Sequence, residues 1–132
     1  MAITSTYAFT VTNTGGNAQR SATITTSLTD ASAIELATTV AVSTSNTYSW
    51  AIDVSQVKHL YVETSSALTL LVNDDGTPDV TLTLSSAAPI VWTSGMGTAC
   101  PLGSVDATSV KFTNGSSTVT ADLYFFCVVD PA

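Results

Sequence analysis

Apolar and polar positions alternate with a period of two along most of the chain, which predicts strands with one buried face rather than amphipathic helices. Tyr7, Phe9 and Val11 alternate with Ala8, Thr10 and Thr12. After the turn cluster Asn13-Thr14-Gly15-Gly16-Asn17, Ala22, Ile24, Thr26 and Leu28 fall on one face. Ile34, Leu36, Thr38, Val40 and Val42 share the next face, followed by Tyr48, Trp50, Ile52 and Val54. Leu60–Glu63 reads as a short strand, and Leu68, Leu70 and Val72 run into the turn signal Asn73-Asp74-Asp75-Gly76. Val80, Leu82 and Leu84 make another strand, and Ile90–Trp92 a short one beyond Pro89.

From Thr93 to Thr108 the pattern lapses, and Gly95, Gly97, Pro101 and Gly103 mark a long loop. Val110–Phe112, the turn Asn114-Gly115-Ser116-Ser117 and the long strand Val119–Val129 read as a hairpin. The only helical competitor is Ala31–Thr39, where Glu35, Leu36 and Ala37 are good helix formers but Thr38, Thr39 and Val40 favour a strand. About nine or ten short strands predict one all-β domain over residues 1–132, an antiparallel β-sandwich of jelly-roll-like type. Tyr48, Trp50, Ile52, Leu68, Leu70, Leu82, Phe112, Leu123 and Phe125 are its expected core.

The last strand departs from the pattern. Leu123, Phe125, Cys127 and Val129 occupy one face, and Tyr124, Phe126 and Val128 the other. A strand with one wet face alternates, so the second face is covered either by another layer of the same chain or by a partner. Tyr124, Phe126 and Val128 are therefore candidate contacts in a homo-oligomer or with another protein.

Composition narrows the function. Hydrophobic residues make up 45% and charged residues 10%, well below the usual quarter, so the chain is not a disordered tail. A mean hydropathy of +0.35 also points to apolar surface covered by a partner. Ten acidic residues against three basic ones give a net charge of −7. Arg20, Lys58 and Lys111 are scattered, so no basic patch neutralises phosphate, and neither nucleic acid nor an anionic membrane is an expected partner. The N-terminal Met-Ala-Ile-Thr-Ser-Thr-Tyr carries no basic stretch or apolar run of an export signal. The expectation is a protein made in the cytosol that leaves, if at all, by another route. Cys100 and Cys127 are too few for a disulfide scaffold, and a single bridge and two free thiols both stand open.

Candidate chemistry is sparse. His59 is the sole histidine and reads as a surface residue beside Lys58 on a strand edge. No Gly-x-Ser-x-Gly turn presents a nucleophile, so the chain is not expected to be an enzyme or to need a cofactor. Asp74, Asp75 and Asp79 around Gly76 could collect calcium, but no EF-hand spacing is present. They read as a turn, or as acids that meet basic groups of a partner. Trp50 is in phase with the core. Trp92 could face either way, and exposed beside a tyrosine it would suit a sugar-stacking platform.

Several stretches resemble small accessory virion proteins of tailed bacteriophages. They are Leu60-Tyr61-Val62-Glu63-Thr64, Asp79-Val80-Thr81-Leu82-Thr83-Leu84, Ala88-Pro89-Ile90-Val91-Trp92 and Val110-Lys111-Phe112-Thr113-Asn114-Gly115-Ser116. The resemblance implies a capsid decoration, or cement, protein: a trimer on the outside of an icosahedral shell, bound to the major capsid protein and located in the virion. A receptor- or carbohydrate-binding module of a tail fibre or spike is the alternative it implies.

Overall fold

The computed structural model describes residues 3–12, 19–28 and 31–130, the first two stretches for their backbone alone. Those two form β1 (Ile3–Thr12) and β2 (Gln19–Leu28), an antiparallel pair in register from Ile3 opposite Leu28 to Thr12 opposite Gln19. The predicted turn Asn13–Asn17 lies outside the described residues.

Eight further strands follow. They are β3 (Ser32–Val40), β4 (Ser45–Tyr48), β5 (Val57–Thr64), β6 (Leu68–Val72), β7 (Val80–Leu84), β8 (Ile90–Thr93), β9 (Val110–Thr113) and β10 (Ala121–Val129). They make two four-stranded antiparallel sheets, ordered β3-β10-β5-β8 and β4-β9-β6-β7. Helix among the described residues is limited to two 3-10 turns, Val54–Gln56 and Ser94–Met96. The all-β expectation holds, in a sandwich-like arrangement, and Ala31–Thr39 is extended as β3 rather than helical.

The alternating pattern becomes the core between the sheets. Leu60 and Val62 from β5, and Leu123, Phe125 and Cys127 from β10, meet Leu68, Leu70 and Val72 of β6 and Val110 and Phe112 of β9. Each large side chain so enclosed contributes about 1.5–3 kcal/mol by leaving water. An aromatic stack bridges the layers, with Trp50 between Tyr48 (centroids 4.7 Å apart) and Phe125 (5.1 Å), and Phe112 edge-on to Phe125 at 5.9 Å. Of the expected core, Tyr48, Trp50 and Leu82 are only partly buried, at its margin.

Two local expectations need correction. The strand expected from Tyr48 to Val54 ends at Tyr48. Ile52 makes a single bridge to Ala107, and Val54 opens a 3-10 turn capped by Asp53, which accepts from the Ser55 amide at 3.0 Å. Nor do β9 and β10 form a hairpin: β9 pairs with β4 and β6, while β10 pairs with β3 and β5. A two-residue Asn-Gly hairpin turn needs positive φ at both central residues. Neither Asn114 nor Gly115 has it. Asn114 is instead buried, and its Nδ2 donates to the carbonyls of Val40 (3.0 Å) and Val119 (2.8 Å). Its Oδ1 accepts from the Ser116 amide at 2.9 Å. The segment is an arch that carries the chain from one sheet to the other.

Candidate functional site

Pairing of β10 between β3 and β5 fixes what lies on the outer face of that sheet. One rung across it is Glu35, Phe126, Tyr61 and Val91; the next, toward one end, is Ala37, Tyr124 and Glu63. Tyr61 and Tyr124 meet edge to face with ring centroids 6.0 Å apart. Tyr61 donates its hydroxyl to Glu63 Oε2 at 2.8 Å, and Tyr124 donates to Glu35 Oε1 at 3.1 Å. The Glu63 bond, then burial, raises the Tyr61 phenol pKa; burial, then the Glu35 bond, raises that of Tyr124. Tyr61, Tyr124 and Phe126 are half-buried, and Glu35, Glu63 and Asp122 are exposed.

The opposite end of the same face is buried over β10, β5 and β8. Its rung is Ala33, Val128, His59 and Thr93; the last three are buried, and only Ala33 at the β3 edge is exposed. Val128, expected as a contact residue, is thus fully enclosed within the chain, which leaves Tyr124 and Phe126 as the members with accessible surface. His59 is no surface residue either. Strand β5 lies inside its sheet between β10 and β8, and the imidazole is fully buried. Burial lowers its pKa below 6.5 by disfavouring the charged form.

The acidic turn is engaged by its own chain. Asp74 pairs with Lys111 at 2.9 Å, and this bond, with help from the Gly76 amide, holds its carboxyl below the usual range. Asp79 accepts from Asn73 Nδ2 at 2.8 Å, and Asp75 from the Thr77 amide at 3.4 Å. Asn73 adopts a left-handed φ of 54°, and its Oδ1 takes the Thr108 amide at 2.7 Å, which ties the turn to the start of β9. Among the described residues no group of three or more His, Cys, Asp or Glu is placed to hold a metal ion.

Both cysteines are free thiols. Burial, then the neighbouring Cys100, pushes the Cys127 thiol up to about 12, and burial also raises Cys100. Trp92 is buried with its indole N–H donating to the Thr98 carbonyl at 3.2 Å, so it offers no stacking platform. On the outer face of the β3-β10-β5-β8 sheet, the aromatic side chains with accessible surface among the described residues are Tyr61, Tyr124 and Phe126. Tyr61, Glu35 and Glu63 carried no motif, because only the pairing of three distant segments brings them together.

Comparison with known proteins returned no matching family model, no matching curated protein and no matching solved structure.

Proposed function

We propose that this chain is a structural virion protein, a decoration protein that binds the outside of an icosahedral bacteriophage capsid and stabilises it without catalysis. The observation that carries the reading is the nesting of the strands. The first of the eight sandwich strands pairs with the last, the second with the seventh, the third with the sixth and the fourth with the fifth: β3 with β10, β4 with β9, β5 with β8, β6 with β7. A jelly roll has this winding, and jelly rolls recur in viral capsid and lectin domains. Fold alone does not assign function. The acidic charge, the aromatic outer face and the resemblance to accessory virion proteins add to it.

In this reading the protein is a trimer that bridges neighbouring copies of the major capsid protein. It stabilises the shell by mass action, binding the assembled lattice better than free subunits. The receptor- or carbohydrate-binding alternative loses support with the burial of Trp92. The test is to strip the protein from particles and heat decorated and stripped shells side by side. Decorated shells are expected to retain DNA to the higher temperature. Equal release temperatures refute cementing, and protein found only on tails favours the receptor-binding alternative.

A further inference from the structure

On the outer face of the β3-β10-β5-β8 sheet, the accessible end carries an aromatic strip of Tyr61, Tyr124 and Phe126 with three exposed carboxylates around it, Glu35, Glu63 and Asp122. A cavity of about 340 Å³ opens beside the strip, with Glu63 and Asp122 on its walls and Tyr124 between them. Cations are missing from this surface among the described side chains. Lys111 belongs to the other sheet and is held by Asp74, and Lys58 lies at the bulged end of β5 beside Trp92 and Cys100.

We infer that this face docks a basic, extended segment of a partner protein, with an arginine side chain seated on the tyrosines between Glu63 and Asp122. Guanidinium suits the place. It is planar and stacks on aromatic faces, and its fork of N–H groups matches carboxylates. A lysine ammonium offers the charge without the stacking plane. Charge argues against a second copy as occupant. The chain carries net charge −7, and facing copies would set six carboxylates together around two strips with no cation of the described side chains between them. The inference rests on the proposed function only in taking the major capsid protein as the source of that segment.

The experiment is a nuclear magnetic resonance titration of the full chain at low ionic strength. The probe is an acetylated, amidated Gly-Arg-Gly-Arg-Gly-Arg-Gly peptide, with its lysine counterpart alongside. Shifts are expected in β3, β10 and β5 around Tyr61 and Tyr124, with the arginine peptide bound more tightly. The triple variant Glu35→Gln, Glu63→Gln, Asp122→Asn keeps the hydrogen-bond acceptors and should lose at least tenfold in affinity. The variant Asp74→Asn, Asp75→Asn, Asp79→Asn removes as much charge elsewhere and should lose far less. The inference is overturned by shifts centred elsewhere, by equal losses in the two variants, or by no binding at millimolar peptide. It is also overturned if Tyr124→Ser dissociates the free protein's oligomer, since the face would then be filled by another copy. Peptide binding here, with decorated shells no more heat-resistant than stripped ones, removes the capsid reading and leaves this one standing. Shells protected equally by wild type and the carboxylate-neutral triple variant do the reverse.

Discussion

His59 shows how far a residue's surroundings can depart from its sequence neighbourhood. Beside Lys58 it reads as exposed, and replacing it would then change stability by less than about 0.5 kcal/mol. Enclosed between Val128 and Thr93 it fills core volume, so His59→Ala is expected to cost about 2 kcal/mol or more, measured by urea unfolding. Its pKa is lower in the folded chain than the unfolded 6.5. The imidazole's contribution is therefore complete above that pH and is lost as pH falls through the folded value. Cys127 carries the opposite sign. Its folded pKa of about 12 lies above the ordinary 9.0, so its contribution is intact below pH 9 and disappears as pH rises toward 12. Native Cys127 should resist iodoacetamide at pH 8 and react once the chain is unfolded in urea; equal rates in both states would contradict its burial.

At the scale of elements, the arch at Asn114 decides the topology. Its side-chain amide joins Val40 at the end of β3 to Val119 just before β10, and it also receives the Ser116 amide. Asn114→Ala leaves those groups in or near the interior without that partner, and buried unsatisfied groups cost about 1–3 kcal/mol each. An expected loss of roughly 2–4 kcal/mol follows from those magnitudes, read as a lowered urea midpoint with an unchanged slope. Asn114→Asp keeps the acceptor for Ser116 but removes both donations, and should fall at least as far. A hairpin turn would have tolerated Asn114→Asp with little effect, because Asp adopts the positive φ of such a turn as Asn does.

For the whole molecule, an excess of seven negative charges on a small sandwich makes association with a basic surface dependent on salt. Screening shortens from about 10 Å at 0.1 M to about 3 Å at 1 M. For the decoration role proposed above, raising salt across that range should weaken attachment to stripped shells in a sedimentation assay. Affinity that is constant, or that rises with salt, would assign the contact to apolar burial alone and remove the acids from it.

The sequence by itself determined that the chain is built of strands and where most of them lie. Residue alternation is a local property of the backbone, and Tyr7–Val11, Leu68–Val72 and Val80–Leu84 each fall within an observed strand. It also marked the doubly apolar β10, because a central strand whose outer face is half-covered cannot alternate. Only the tertiary structure decided which strands are neighbours, since pairing joins residues far apart in sequence and leaves no local periodicity. Hence an Asn-Gly segment that suggests a hairpin spans two sheets, and a lone histidine that suggests solvent lies in the interior. Glu35, Tyr61 and Tyr124, scattered over ninety positions, become one surface because β10 inserts between β3 and β5.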